Sequence, residues 1–447
     1  MGENQGLKQL LAEHPQFRWF WAGSTMSMLG SRTIGVTYPL LAYELTGSAA
    51  WTGWVMFAST VPVLLAQLPA GALTDRLGPH RVMVWSAGFR GVLIALLCVL
   101  VFWGVLTIDI LIAFALFEGA LSTAASIADT ALLPSLVKPH RPGPAPALQE
   151  GSIQGAALIG RPLGGLLFSI GPSSSFCVNF VMSFSAALML RRLGPGMPAS
   201  KPRRRSWRLS EIGVGLAGLW QDRFLRAATL VTALVNFSAQ GLITIFLTEA
   251  TNDQLSGLFT GAILAASGLG GVVGAFLFTR RHRIRRRFKA WPALRRWITR
   301  LAGRHGTHRL GRLMMLVHFW SCAFALLLPV SLAGLPWAFA LSLFAIGMTG
   351  GLSNVVMRQA FSRVPSDRVA RVVGTSWLCT SSAAVAGPPL AGLLVECVGP
   401  AVALLILAGQ TIASAWLVTT VLKWRTRATY HFVHPSMPKY LVGISGG

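Results

Sequence analysis

Apolar stretches long enough to cross a bilayer recur along this 447-residue chain, and the basic residues between them fall only in every second connection. About 20 residues at roughly 1.5 Å rise cover the hydrocarbon core. Twelve stretches reach or approach that length: 17–43, 51–73, 82–103, 108–137, 148–170, 176–190, 224–246, 255–279, 313–332, 336–361, 372–395 and 401–422. The chain is 53% hydrophobic and 12% charged, against about 25% charged in a typical soluble domain. Water cannot cover such a composition. The expected fold class is an all-α membrane protein with twelve transmembrane helices.

The charges orient it. Connections after even-numbered stretches hold Arg76 and Arg81, Lys138 and Arg141, the runs within 191–226 and 280–312, and Arg363, Arg368 and Arg371. Connections after odd-numbered stretches hold no Lys or Arg and carry Glu44, Asp109, Glu249, Asp253 and Glu396. The positive-inside rule then places both termini in the cytoplasm and requires an even number of spans. A net charge of +25 could suggest nucleic acid. Its confinement to alternate loops, with no base-reading module, argues against that partner. Residues 280–312 contain thirteen Lys and Arg and no acid. There Trp291, Leu294, Trp297, Ile298 and Leu301 share one helical face, which predicts an amphipathic helix on anionic lipid headgroups. Residues 1–16 are polar and the next run continues as a span, so no cleavable leader is expected.

The chain also repeats. The run 159–167, with Gly160, Arg161, Pro162, Gly164 and Gly165, matches 386–394, with Gly387 and Pro388; a Gly-Pro pair follows each. Thr74-Asp75-Arg76-Leu77-Gly78 echoes Thr307-His308-Arg309-Leu310-Gly311. Such duplication predicts two pseudo-symmetric six-helix bundles: residues 1–190, a basic linker 191–222, a second bundle 223–423 with the insert 280–312, and a tail 424–447. The small residues of the two matching runs suit close helix packing.

Between the second and third stretches lies Gly71-Ala72-Leu73-Thr74-Asp75-Arg76-Leu77-Gly78-Pro79-His80-Arg81, a short charged hinge expected to turn at the membrane surface. The pattern G-x-L-x-D-R-x-G resembles the loop between spans 2 and 3 of the major facilitator superfamily, and Asp129 matches an acid that accompanies it there. The opening Phe17-Arg18-Trp19-Phe20-Trp21-Ala22-Gly23 resembles the macrolide-efflux and enterobactin-exporter-like branch. The resemblance spans about residues 17–422. It implies alternating access, export driven by the proton gradient at the plasma membrane, and a gating role for Gly71, Asp75, Arg76, Gly78, Arg81 and Asp129. Pro79 stands where that motif is usually basic, and Arg32 lies near a position that often carries an acid. The glycine-proline run of span 5 also departs, with Arg161 directly after Gly160.

Arg32, Glu118 and Arg161 are charges inside spans 1, 4 and 5, near the midplane at about 1.5 Å per residue. Unpaired charges there cost several kcal/mol, so such groups pair or face a wet cavity. Glu118 is expected to pair with Arg161, Arg32 or both, either as a structural ion pair or as a proton carrier. One acid against two bases fits an anionic or acceptor-rich substrate, or proton exchange. Asn236, Gln240 and Asn354 are polar groups on spans 7 and 10, available to substrate or to one another. The five cysteines lack metal-ligand spacing and read as small buried hydrophobes. No catalytic constellation and no phosphate-binding loop is present, so neither an enzyme nor a cofactor or metal is expected. The partners expected are a small molecule, protons and lipid, with a monomer as the working unit. Two alternatives to export stay open: uptake or lipid movement on the same fold, and a transport-inactive sensor or scaffold.

Overall fold

A computed structural model describes residues 15–136, 145–193, 209–279, 306–332, 335–361, 364 and 369–424. All regular structure among them is helical. The first half of the chain forms α1 (Pro15–Thr46), α2 (Ala49–Thr60), α3 (Pro62–Leu65), α4 (Gln67–Leu77), α5 (Pro79–Phe102), α6 (Ile108–Leu136), α7 (Ala145–Ile170) and α8 (Pro172–Arg191). The second forms α9 (Leu209–Gln221), α10 (Arg223–Asn252), α11 (Gly257–Thr279), α12 (Gly306–Ser331), α13 (Pro336–Phe361), α14 (Val369–Val398) and α15 (Pro400–Trp424). Eight helices are individually long and apolar enough to cross a membrane, and the bent pair 49–65 and 69–77 makes a ninth. With α1, α7 and α12, of 32, 26 and 26 residues, the described helices accord with twelve spans.

Local chemistry sets the ends. Ser48 caps α2 by accepting from the Trp51 amide, and Asp222 caps α10 by accepting from the Phe224 and Leu225 amides. Both satisfy amides that a helix start leaves without partners. The second span is not the single rod that its apolar run predicts. It bends by 58° between 49–65 and 69–77. The break falls at residues 66–68, directly before Pro69. Proline lacks the N–H that would continue the ladder. The hinge differs as well. Gly71–Leu77 belong to α4, and the turn is confined to Gly78, whose φ of 86° suits a residue without a Cβ. Pro79 then opens α5.

Other expectations meet a mixed outcome. Residues 209–221 of the linker form α9, which packs on α14 with Gly215 against Arg371 and Thr375. Residues 194–208, the insert as far as residue 305 and the tail from 425 lie outside the described residues. Only Cys322 is buried; Cys98 and Cys379 are half-buried, and Cys177 and Cys397 are exposed. On a helix that faces lipid, exposure leaves a thiol in hydrocarbon.

Two clusters fill the first half, one around Phe17, Phe20 and Leu190, the other around Tyr38, Ile94 and Phe176. A larger one around Phe246, Phe319 and Phe339 fills the second half and takes in Val36, Leu40 and Met56 from the first. The two glycine-bearing runs do the same work in each half. In α7, Gly160 and Gly164 lie against Leu29, Arg32 and Thr33 of α1, while Gly165 lies against Gly257 of α11. In α14, Gly387 lies against Phe237 and Gln240 of α10, while Gly392 lies against Ala49 of α2, and Pro388 lies against Gly53. A Cβ at Gly165, Gly257, Gly53 or Gly392 would overlap the backbone of the facing helix. The halves therefore meet along two related seams, α7 with α11 and α2 with α14, at backbone distance.

Two of the hydrogen bonds between the halves lie toward the ends that carry the acidic connections. Tyr43 donates to Asn252 at 2.5 Å, and Ser48 donates to Glu396 at 3.2 Å. The halves touch at this end. Replacing Gly165 with leucine should destabilise this arrangement by about 1–3 kcal/mol, the range for overpacking. Cross-linking of Tyr43→Cys to Asn252→Cys, with the native cysteines changed to alanine, should fall. Cross-linking at the parental rate would show that the seam is not where the halves meet.

Candidate functional site

The midplane of the first half holds a buried ion pair. Arg90, on α5, reaches Glu118, on α6, at 2.8 Å, and the two side chains are 1% and 7% exposed. Arg90 also donates to the Ser27 hydroxyl on α1 at 2.9 Å. Tyr38 lies within electrostatic reach of both charges. Around the pair, the Tyr38 hydroxyl, the Asn179 amide and the Ser183 hydroxyl are buried without a protein partner, as is Nε of Arg90. Asn179 faces Gly30 of α1, and Ser183 faces Gly91 of α5, so polar atoms from α1, α5, α6 and α8 converge here. Among the described residues this is the one salt bridge. A guanidinium in hydrocarbon holds its charge where a carboxylate meets it.

That pairing differs from the one the span order suggests. Glu118 is not joined to Arg161 or Arg32. Arg90 is missing from the residues that sequence reasoning singles out, although a charge at the centre of the 82–103 stretch is visible there. Arg161 turns the other way, across the seam. Its Nη1 donates to the Leu264 carbonyl at 2.8 Å and to the Ser267 hydroxyl, both on α11. An N-half arginine thus binds the backbone of the C half.

Arg32 has no hydrogen bond or ion pair with any described residue. Its Cβ sits 2.6 Å from where a Cβ on Gly160 would be, next to Arg161. Arg32 and Gly35 are exposed although α1 is packed by α2, α6, α7, α8 and α10. Exposure at the middle of a helix so surrounded means an internal hollow. The contacts of Tyr43 and Ser48 join the halves at the acidic-loop end of the same helix region. Ser31, beside Arg32, shares a hydrogen bond of 3.2 Å with Ser122 of α6.

The remaining candidates are more scattered. Asp75, Arg76 and Arg81 are exposed, and none forms an ion pair or side-chain hydrogen bond with a described residue. Asp129 is buried and accepts from Ser24 at 2.5 Å and from Gln149 at 2.8 Å. The gating residues are therefore not assembled with one another in this conformation. Asn236 and Gln240 are half-buried on α10, and Asn354 is exposed on α13. No hydrogen bond joins them. The C half has a buried polar group that sequence reasoning missed: His318, whose Nδ1 shares a hydrogen bond of 2.9 Å with Thr349. No grouping of His, Cys, Asp and Glu among the described residues suits a metal.

Comparison with known proteins gives this arrangement its context. The family described as Major Facilitator Superfamily matches residues 20–299. The multidrug efflux pump Tap of Mycobacterium tuberculosis is 26% identical over 262 residues, which cover 56% of this chain and 62% of that protein. An uncharacterised MFS-type transporter of Bacillus subtilis, YceJ, is 24% identical over 58% of this chain and 64% of its own length. The chain thus spans less than two thirds of the length of these relatives. Among solved structures, the nucleoside transporter NupG superposes with a TM-score of 0.65 at 12% identity, over 91% of this chain and 99% of that one. The POT family transporter PepTSo gives 0.63 at 13% identity, over 93% and 99%. At such identities these two structures speak for the fold, while the family match and the efflux-pump relatives speak for the class of activity. This chain belongs to the major facilitator superfamily, and its apolar helices make it an integral membrane protein.

Proposed function

We propose that the chain exports a small amphiphilic molecule across the plasma membrane by alternating access, as a monomer with both termini in the cytoplasm. The observation that carries this reading is the exposure of Arg32 in the middle of a helix packed on many sides, together with the Tyr43 and Ser48 contacts that join the halves at the acidic-loop end; we read it as a hollow that opens toward the basic loops. With the basic loops inside, such a conformation loads from the cytoplasm. The glycine seams supply the surfaces along which the halves would rock. Asp75, Arg76 and Arg81, free of ion pairs here, are placed to engage when the basic side closes. Asn236, Gln240 and Asn354 would then contribute polar contacts from the C half.

The driving ion is a proton, carried by Glu118. Protonation would remove the partner of Arg90, a group with few other partners in hydrocarbon, and so couple charge to conformation. A second reading is favoured by the near-complete burial of both side chains: the pair is fixed and holds α5 to α6. One variant separates them. In cells expressing the protein, at least one of an anionic and a cationic fluorescent amphiphile should accumulate less than in control cells, and an uncoupler should restore it. Glu118→Gln should abolish the uncoupler-sensitive part while substrate binding persists; retained exchange would remove Glu118 as the carrier. Arg90→Ala leaves a buried carboxylate alone and should lower stability by about 3–5 kcal/mol, read as an earlier thermal transition of the purified protein. Asp75→Asn should cut transport without reducing the amount inserted in the membrane. Wild-type transport by that variant would detach the hinge from gating.

A further inference from the structure

We infer that Arg32 and Arg161 form an anion-binding subsite at the centre of the transporter, which selects substrates bearing a carboxylate, phosphate or sulfonate. The inference deepens the export reading and rests on it for the direction of movement only.

The acid expected to neutralise these arginines is committed elsewhere, since Glu118 is paired with Arg90. Asp129 is held by Ser24 and Gln149. Glu249, Asp253 and Glu396 stand at the acidic-loop ends of their helices. No described carboxylate forms a salt bridge with either arginine. Yet the two are neighbours through Gly160, close enough for each to act on the other's charge. Two cations side by side at the midplane repel each other and attract an anion strongly, because the surrounding medium screens poorly.

Donor capacity agrees with the charge. A guanidinium offers five N–H donors in a planar fork suited to carboxylate or phosphate oxygens. Arg161 commits only Nη1 to Leu264 and Ser267. Its Nε and Nη2 have no partner among the described residues. Arg32 has all five donors unused and is exposed in the hollow. An anion bridging the two would satisfy donors that now rely on water. Because Arg161 also grips α11, the bridge would join the substrate to the seam between the halves. The export reading supplies the amphiphile, so the expected substrate is an amphiphilic anion.

A probe series with one ring system and three head groups tests this on the purified full-length protein in nanodiscs of neutral lipid. 1-Naphthylacetate should bind about tenfold more tightly than 1-naphthylacetamide or 1-naphthylmethylammonium, the difference expected for one charge-assisted hydrogen bond. Inorganic phosphate should compete with it. Arg32→Gln should erase the preference, and Arg32→Lys should retain part of it. Equal binding of the three probes, or a preference that survives Arg32→Gln, overturns the subsite. So does failure of both naphthylacetate and phosphate to bind the wild-type protein. The wild-type comparison needs no variant, so a misfolded mutant does not blunt it. Uncoupler-sensitive flux of all three probes at equal rates would reject the subsite while leaving export standing. Carboxylate-selective binding without any flux in proteoliposomes would support the subsite and reject export.

Discussion

A charge in hydrocarbon must find an opposite charge, a polar partner or water, and described residues of the first half show these routes. Arg90 and Glu118 take the first and become part of the core of the first half. Asp129 takes the second, with a hydroxyl from α1 and an amide from α7. Arg161 combines a carbonyl and a hydroxyl across the seam, and Arg32 opens into the hollow. The division is functional as well as energetic. Charges that are satisfied within one half move with it as rigid cargo. Those satisfied across the halves, or by water, are the ones that a change of conformation disturbs.

The seams make such a change feasible. Related positions in α7 and α14 bring each half against the other through glycine, and the same runs also pack inside their own half on α1 and α10. One helix in each half therefore mediates both kinds of contact. A substrate that pulls on Arg161 acts on the helix that carries the interface itself.

Much of this was legible in the sequence. The twelve stretches, their alternating charge and the repeat of 159–167 in 386–394 follow from bilayer thickness and from duplication, which leave a mark in one dimension. Which charges pair did not follow. Helical spacing fixes the depth of Arg32, Glu118 and Arg161 but not the direction each faces, and Arg90 claims Glu118 from a helix whose other residues look uniformly apolar. The bend before Pro69 was hidden for a similar reason. Hydropathy sees an unbroken run, whereas the backbone responds to one missing N–H. The 71–81 hinge was legible by composition, but most of it winds into α4 because nothing before Gly78 stops the helix.

The glycine seams have one more implication. Ordinary helix pairs mesh ridges into grooves, and sliding one past the other means lifting every side chain out of its slot. At Gly165 and Gly257 there is nothing to lift. The two backbones touch as plain surfaces, more a bearing than a gear, so friction there stays low across a range of tilts. What sets the tempo of the machine is then the polar latches between the halves, Tyr43 to Asn252 and Ser48 to Glu396 at the rim and Arg161 to Leu264 and Ser267 along the seam, rather than the broad apolar contact that keeps its halves together.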